Sequence, residues 1–427
     1  MISRTSAMLL KGSKKDVQTI GRDLSVRYVL EGSVRRAGDS LRITAQLIDA
    51  ASDTHMWAEK YAGKLEDVFA LQEQLSRRIV QALELTLTPD EDRHLASRDI
   101  PDVEAFALYL RARQEILRAS ESAFDLALQL VERALARTGP NALLLATEAE
   151  ILWFLHDQGI RPVPETLQRG DGLADQALEL VPTLARAHVA KGLIAWRRFD
   201  PKTSVRHLRR AVELDPGDAI AAWSAGYVLA EVGLTAEARE LGDRAHALDP
   251  LYWPAHVGSA FADLFDGRFD TGLAKMVGMH TAAAGIPVAD LWLGVFLLYV
   301  GRADEAAQVF DRGARAGAGV VSSMQSFVGA MLRSDREAMY AVLAQPGARE
   351  VFEIDKEFSW MFAAAFASVG DAEVALRWLA RAIEMGFINH RFFAEHDPFL
   401  SRLRGDPRFE ALMDRARAKQ REIEADV

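Results

Sequence analysis

The 427-residue sequence contains no cysteine and no long hydrophobic run. The absence of cysteine excludes disulfides, thiolate-bound zinc, iron–sulfur clusters and a cysteine nucleophile. The longest apolar run, Leu291–Val300, includes a glycine and is far shorter than the roughly 20 residues of a membrane-spanning helix. The apolar stretch Ala7–Leu10 is too short for the core of a signal peptide. We therefore expect a folded protein in the cytoplasm, or outside it if an anchor precedes the chain.

Positive charge is also in deficit, because 51 lysine and arginine residues face 61 aspartate and glutamate residues. The first 100 residues are balanced, so the whole net charge of −10 lies in residues 101–427. This balance disfavours general binding to nucleic acid or to anionic lipid. The densest basic cluster predicts either a solvated helix face or a contact with an anionic protein: Arg197, Arg198, Arg206, His207, Arg209 and Arg210. It has no interleaved aromatic residues, so a nucleic-acid partner is not expected.

The strongest pattern is an internal repeat of 34 residues. Pro182, Pro216 and Pro250 end successive helical phrases at this spacing. Small residues recur at the same interval, with Met279 as the one larger exception: Gly192, Gly226, Ala260 and Gly294; Ser204, Ala238, Gly272 and Ala306; Ala211, Ala245 and Gly313. Two antiparallel helices pack closely only where side chains are small, so the pattern predicts repeated helix pairs.

These landmarks resemble the tetratricopeptide repeat, in which helix pairs stack into a superhelix. Regular units are predicted at residues 185–218, 219–252, 253–286 and 287–320. Degenerate pairs extend the superhelix over residues 101–389, with a proline-containing linker at Asp157–Pro164, and give about seven or eight pairs in all. Capping helices are expected at residues 390–427.

Residues 1–90 follow a different pattern. Apolar and polar residues alternate in Tyr28–Arg35 and in Leu41–Asp49, and the Ala37-Gly38-Asp39 turn between them predicts a β-hairpin. Further elements are predicted around the hairpin: a helix at Asp16–Leu24 with Ser13 as its cap, a strand at His55–Tyr61 and a helix at Leu65–Leu87. The predicted fold is mostly α, a tetratricopeptide-repeat α-solenoid with a small amino-terminal α+β domain.

Three amino-terminal segments resemble the TolB-type α/β domain of bacteria: Ile2–Ala7, Tyr28–Tyr61 and Asp67–Leu83. The segment Gly386–Met413 is similar to the carboxy-terminal end of the same group. The resemblance implies a truncated TolB-type domain before tetratricopeptide repeats, as in the carboxy-terminal regions of eukaryotic-like serine/threonine kinases, class III adenylate cyclases and winged-helix regulators. Family members usually carry a further strand and helix before the stretch that matches Ile2. Without them one sheet edge is open, and we expect it to invite pairing with another chain.

Motifs for catalysis and cofactor binding are missing from the sequence. It contains no kinase signature, no glycine-rich dinucleotide or phosphate loop, no serine-hydrolase elbow and no zinc-protease helix. Gly313, Gly317 and Gly319 are interpreted as a turn between helices, and the segment His390–Asp397 as a linker rather than a metal site. We therefore expect no enzymatic activity, no cofactor and no bound metal in this chain.

Two sets of residues are candidates for protein binding. The first helix of each pair lines the inner surface of a tetratricopeptide superhelix, and the resemblance places four aromatic residues there. They are interpreted either as core or as an accessible contact surface for an amphipathic helix or extended apolar segment: Trp223, Tyr227, Phe261 and Phe265. The second set would orient an acidic partner: Arg197, Arg206, Arg209 and Arg210.

The predicted function is a non-catalytic protein–protein interaction scaffold, or a sensory or regulatory module of a bacterial signalling protein. One alternative is the regulatory part of a serine/threonine kinase or adenylate cyclase whose catalytic domain is absent from this chain. A second alternative is an accessory role in the cell envelope or in transport, which the TolB-type resemblance suggests. In each case the expected partner is a protein or peptide.

Overall fold

The computed structural model describes residues 12–88, 99–283, 285–316, 319–345 and 351–425, together with residues 2, 6, 7, 10 and 92. Half of the segment Ile2–Ala7 (residues 3–5), and Gly317 of the predicted turn, lie outside the described residues. In the part of the chain that is described, no helix is both long and apolar enough to cross a bilayer.

A small α+β unit forms the amino-terminal part. Its elements are α1 at Val17–Asp23, β1 at Tyr28–Ala37, β2 at Ser40–Asp49, β3 at Thr54–Lys64 and α2 at Val68–Ala82. The three strands form an antiparallel sheet in the order β1-β2-β3, which confirms the predicted hairpin and third strand. The predicted cap of the first helix is wrong. The cap is Asp16, directly before α1, and not Ser13. The Asp16 carboxylate accepts the backbone N–H of Thr19.

The sheet has an open edge at β1, because β2 occupies only one side of that strand. Leu30 is 45% exposed and Val34 is 66% exposed. Leu30 lies opposite the buried Leu47 in the strand register. Leu30 and Val34 are therefore on the same face of the sheet as Leu47. Helix α2 lies on the β3 side, where Arg78 Nε is 3.6 Å from Glu59 Oε1. Among the described residues, none covers Leu30 and Val34 on the β1 side of this face.

Antiparallel helix pairs form the remainder, which confirms the predicted tetratricopeptide solenoid. The helices are α3 Val103–Ile116, α4 Glu121–Thr138, α5 Ala142–Asp157, α6 Pro164–Leu180, α7 Ala185–Arg197, α8 Pro201–Leu214, α9 Ala219–Glu231, α10 Thr235–Leu248, α11 Val257–Phe265, α12 Phe269–Ala282, α13 Pro287–Tyr299, α14 Ala303–Ala316, α15 Val320–Leu332, α16 Arg336–Leu343, α17 Lys356–Ser368, α18 Ala372–Glu384 and α19 Pro407–Ala425. Short 3-10 or π turns lie at Trp253–His256, Phe392–His396 and Ser401–Leu403.

The repeated residues of the sequence lie at helix ends and helix crossings. Pro182, Pro216 and Pro250 follow shortly after the ends of α6, α8 and α10, because the residue before a proline avoids the helical conformation. Gly226 lies where α9 crosses α10. A β-carbon at Gly226 would lie 3.0 Å from the backbone oxygen of Ala238, so this crossing admits only a very small residue.

The carboxy-terminal part folds back against the middle of the superhelix. The backbone N–H of Ile388 donates to the carbonyl oxygen of Glu231 at 3.1 Å. Lys356 Nζ donates to the carbonyl oxygen of Trp196 at 3.1 Å. These two bonds join α17 and the segment after α18 to the carboxyl ends of α7 and α9. The superhelix therefore closes on itself, whereas the repeat alone predicts an open curved surface.

Aromatic residues of the carboxy-terminal segment fill part of the inner side. Phe387, Phe392 and Phe393 are each fully buried. The ring of Phe392 lies 4.6 Å from the ring of Phe265 and 5.5 Å from that of Trp360. The segment therefore does more than cap the last repeat, because it supplies core residues to the repeats it folds against.

Candidate functional site

From α5 onward, the first helix of a pair is more deeply buried than the second. Every residue of α9 is buried, whereas α8 buries only Ser204, Val205, Leu208 and Ala211. The second helix of each pair lies on the outer side of the superhelix, and the first helix lies on its inner side. Side chains of the first helices therefore face the inner side of the superhelix.

A cavity of about 570 Å³ lies inside the closed superhelix. Its walls come from α5, α9, α11 and α13, from the turn at Trp253–His256, and from the first residues of α15 and α17. Eight aromatic side chains line it: Trp153, Phe154, Trp223, Tyr227, Trp253, Phe261, Trp292 and Phe358. We call this cavity the chamber. Its volume suits a small molecule or a few residues of a peptide.

The aromatic walls form a continuous series of ring contacts. Trp153 lies 6.3 Å from Trp223, and Trp223 lies 6.3 Å from Tyr227, between ring centroids. Tyr227 lies 6.3 Å from Phe261, and Phe261 packs edge-to-face on Trp292 at 4.7 Å. These rings belong to four different helices, so the wall is held by helix packing and not by one flexible loop.

The charged side chains that line the chamber, among the described residues, are all carboxylates: Glu121, Asp157, Asp355 and Glu357. Asp157 ends α5 and lies beside the irregular linker. Asp355 is the N-cap of α17 and accepts the backbone N–H of Phe358 at 2.9 Å. Glu357 lies in the first turn of α17. The chamber is therefore both aromatic and acidic.

Arg197 lies behind three of these carboxylates. Its side chain is only 2% exposed, and its guanidinium lies 3.2 Å from Asp157, 3.0 Å from Asp355 and 3.8 Å from Glu357. Burial opposes its charge, but the carboxylates outweigh burial and raise the pKa of Arg197. Three carboxylates thus surround a single guanidinium, which leaves negative charge at the chamber wall.

Lys356 is the second buried cation of this region. Its Nζ atom lies 3.7 Å from the centre of a Trp196 ring and bonds the Trp196 carbonyl oxygen. Burial lowers the pKa of Lys356 to about 8. Burial alone would raise the pKa of Glu357, but the charges of Arg197 and Lys356 outweigh burial and lower this pKa. The Tyr227 hydroxyl also donates to Glu357, so this carboxylate is held in its charged form.

Two other carboxyl groups of this region, those of Asp355 and Glu231, are less acidic than usual. Burial and the nearby Glu357 raise the pKa of Asp355 to about 6. Burial also raises the pKa of Glu231, the fully buried last residue of α9. The chamber wall can therefore take up protons just below neutral pH.

The predicted aromatic residues divide between the chamber and the core. Trp223, Tyr227 and Phe261 line the chamber, although each is less than one-tenth exposed. Phe265 does not, because the returning segment covers it with Phe387 at 5.2 Å and Phe392 at 4.6 Å. The expectation of an accessible surface at Phe265 is therefore wrong. The other three residues line the chamber with only a small part of each side chain exposed.

The predicted arginine set is not one patch. Arg197 is buried behind the chamber, whereas Arg206 and Arg210 are exposed on α8. Arg209 forms a two-bond pair with Glu237 of the next helix pair, with Nε to Oε1 at 2.9 Å. The sequence clusters these residues, but adjacent positions on a helix point in different directions. Arg197 therefore cannot contact the same partner surface as Arg206 and Arg210.

The residues missed at the sequence level are Trp153, Asp157, Trp292, Asp355 and Glu357. The run Asp355-Lys356-Glu357 before an apolar segment does mark a helix start, and Asp355 is indeed its cap. Its burial follows from superhelix closure, which no local pattern signals. The predicted linker at Asp157–Pro164 was a usable signal, because Asp157, Gln158, Gly159 and Ile160 all reach the chamber.

The segment interpreted as a linker instead of a metal site forms separate contacts. Asp397 accepts Trp360 Nε1 at 2.9 Å, whereas His390 Nδ1 lies 2.9 Å from Gln420 Oε1. Arg391 pairs with Glu395 at 3.3 Å. No group of three or more histidine, aspartate or glutamate side chains is placed to hold a metal within the described residues.

Comparison with known proteins gives one partial relative and several structures of similar fold. No family model matches the chain. A protein of Rhizobium meliloti (strain 1021) named "Putative adenylate cyclase 3" is 38% identical over 203 residues, which cover 47% of this chain. The match covers 35% of the relative, so the chain spans about a third of the relative's length.

Among solved structures, the Rap protein complexed with competence and sporulation factor superposes with a TM-score of 0.53 at 12% identity, over 76% of this chain and all of that one. A tetratricopeptide repeat protein of Parabacteroides merdae ATCC 43184 gives 0.39 at 10% identity, over 59% of this chain and 99% of that one. The pilus biogenesis factor PilW gives 0.37 at 17% identity, over 48% and 98%. At these identities the likeness concerns the fold alone.

Proposed function

We propose that this chain is a non-catalytic interaction module that binds a peptide or protein segment in the chamber. The observation that supports the proposal is the chamber itself, a space of about 570 Å³ with eight aromatic side chains fixed on packed helices. Aromatic residues supply large contact areas with little loss of side-chain entropy, so they suit binding of an extended segment. Among the described residues that line the chamber, no nucleophile–base pair favours catalysis.

Selection of peptides tests this proposal directly. A library of random short linear peptides is selected against the full chain, and the recovered peptides are measured by the change in tryptophan fluorescence. Trp223→Leu should weaken binding by at least about tenfold, because it removes a ring that contacts both Trp153 and Tyr227. Tyr340→Leu, exposed on α16, should leave binding unchanged while both variants keep their helical circular dichroism. Failure to recover any peptide that Trp223→Leu weakens would contradict the proposal.

We propose further that the module is the regulatory part of a bacterial signalling protein with a TolB-type domain at residues 1–90, repeats at 101–389 and a terminal segment at 390–427. The partial relative named as an adenylate cyclase supports this context. The isolated chain should produce no cyclic AMP and transfer no phosphate from ATP. Product formation by pure protein would contradict the non-catalytic assignment. Fractionation of the native protein with the envelope would favour the envelope or transport role instead.

The open sheet edge is a second proposed contact, with another copy of the chain as its occupant. Antiparallel pairing of two β1 strands about Ser33 would place Glu31 opposite Arg35 of the second copy, twice by symmetry. On the uncovered face Val34 would lie diagonal to Val34 and Leu30 of the second copy, whereas Leu30 would lie directly opposite Arg36. A single strand pair is a small interface, so association should be weak, at about micromolar concentration or above.

Sedimentation velocity over a concentration series tests the strand pairing. Val34→Lys should abolish self-association, because a lysine on an edge strand blocks pairing. Met56→Lys, at a comparably exposed apolar residue of β3, should not change it. A wild-type chain that stays monomeric at every concentration would exclude this contact.

A further inference from the structure

We propose that the chamber selects a positively charged side chain, the lysine or arginine of a short peptide segment, and holds it between the aromatic rings and the carboxylates of Asp157, Asp355 and Glu357. This inference rests on the proposed peptide-binding function and names the chemistry of the ligand. The aromatic walls alone would accept any apolar segment, so the selectivity must come from the charged groups.

The sign of the charge at the chamber wall points to a cation. Of the described charged residues that line the chamber, all are carboxylates and none is a lysine, arginine or histidine. Arg197 lies behind them, 2% exposed, and its guanidinium is already engaged by Asp157, Asp355 and Glu357. A cation that enters the chamber therefore meets carboxylate oxygens, and an anion meets no free positive group.

Of the three carboxylates around Arg197, that of Asp157 is the most accessible. Its side chain is 27% exposed, against 9% for both Asp355 and Glu357. Asp355 is committed to capping α17, and Glu357 accepts the Tyr227 hydroxyl. Asp157 is thus the group with the most capacity left for a ligand, and we assign it the principal contact.

The aromatic rings suit a cation as well as an apolar chain. Trp153 and Trp223 lie 6.3 Å apart and both face the chamber, so a flat guanidinium or an ammonium could lie against an indole face. The protein already stabilises one of its own cations in this way. The Lys356 ammonium lies 3.7 Å from the centre of a Trp196 ring, next to the same carboxylates.

The indole nitrogen of Trp153 gives an additional indication that a ligand has a place here. Trp153 is 3% exposed, and its Nε1 donor has no hydrogen-bond partner among the described residues. Buried donors are seldom left unpaired, because an unpaired donor loses its hydration without compensation. A peptide carbonyl oxygen beside the bound cation would satisfy this donor. The ligand is therefore a peptide segment and not a free metal ion.

The experiment compares peptides that differ only at the charged residue. Peptides selected against the full chain should carry lysine or arginine at one fixed position. Replacing that residue by glutamine in the best peptide should raise the dissociation constant by about tenfold or more. If the glutamine peptide binds as well, the charge selectivity is refuted while the peptide-binding function survives. If no peptide binds, the proposed function itself is refuted.

Variants of the chain give a second, independent measurement. Asp157→Asn should weaken the basic peptide by about tenfold and leave its glutamine counterpart unchanged. Glu240→Gln, which removes a carboxylate from the exposed side of α10, should change neither affinity. Equal loss for both peptides in Asp157→Asn would mean that the variant damages the chamber, and then Asp157 would not be the charge contact. The comparison of the two peptides on the unaltered chain decides the selectivity in either case.

Discussion

Replacement of Arg197 by methionine should open the contact that closes the superhelix. Methionine keeps the length and apolar stem of the side chain but removes the guanidinium that faces Asp157, Asp355 and Glu357. Removal of one partner from a buried ion pair costs about 3–5 kcal/mol, because the remaining charges are left buried without compensation. With a side-chain exposure of 2%, Arg197 gains little relief from solvent. We expect a loss of about 4 kcal/mol in the free energy of unfolding near neutral pH.

The loss should depend on pH in a defined direction. Arg197 lowers the pKa values of Asp157 and Asp355, which burial raises, so its removal raises both of them further. The folded wild type already binds more protons than the unfolded chain around these raised pKa values, and the folded variant binds still more, so the stability of the variant falls more steeply as pH rises. The deficit should therefore be larger at about pH 7.5 than at about pH 5, where the carboxyl groups are neutralised by protons.

The assay is urea unfolding at both pH values, combined with hydrogen exchange. The early loss of protection should be confined to α17 and the carboxyl end of α7, because Arg197 joins these two elements. The control is Arg206→Met on the exposed side of α8, which should cost less than about 0.5 kcal/mol. Equal stability of the two variants, or a deficit that grows as pH falls, would refute the account of Arg197 given above.

Two further predictions concern a buried carboxyl group and the helix crossings. Burial raises the pKa of Asp397 from 3.8 to about 6, so this group lowers the stability of the wild type by up to about 3 kcal/mol as pH rises through that range. Asp397→Asn should flatten this part of the plot of unfolding free energy against pH, as measured by urea unfolding. An unchanged plot would contradict the raised pKa. Gly226→Val should lower the free energy of unfolding by about 1–3 kcal/mol, because the valine side chain would meet the backbone oxygen of Ala238. Gly172 lies in open space on α6, so Gly172→Ala should raise the free energy of unfolding by up to about 1 kcal/mol. Equal effects of the two glycine substitutions in urea unfolding would argue against close packing at the crossing.

The helix pairs could be predicted from sequence because their signals are local and repeated. Pro216 follows the end of one helix pair, and Gly226 lies at the crossing of the next pair. Each acts on neighbours that the chain itself brings together. The β-hairpin was predictable for the same reason, since Gly38 and Asp39 join two strands whose residues alternate. Each of these features can be recognised in a window of a few tens of residues.

The closure of the superhelix could not be predicted in this way. The bond from Arg197 to Asp355 joins residues 158 positions apart. Arg197 was grouped with Arg198 because they are adjacent, yet Arg198 reaches Asp171 at the surface with a bond of 2.5 Å. Phe265 was assigned to the inner surface by its repeat position, and only the returning segment makes it core. A periodic pattern sets which helix face is inward, not what comes to cover it.

Binding in the chamber and closure of the superhelix depend on the same residues. The aromatic wall belongs to the repeats, but Asp355 and Glu357 belong to α17, the helix that completes the closure. A cation bound between Asp157 and Asp355 would add to the compensation that Arg197 and Lys356 give to these carboxylates. Since a ligand that binds only the closed form stabilises it by mass action, a basic peptide should also slow hydrogen exchange in α17. Occupancy of the chamber would in this way be reported to the carboxy-terminal helices without any movement of the repeats.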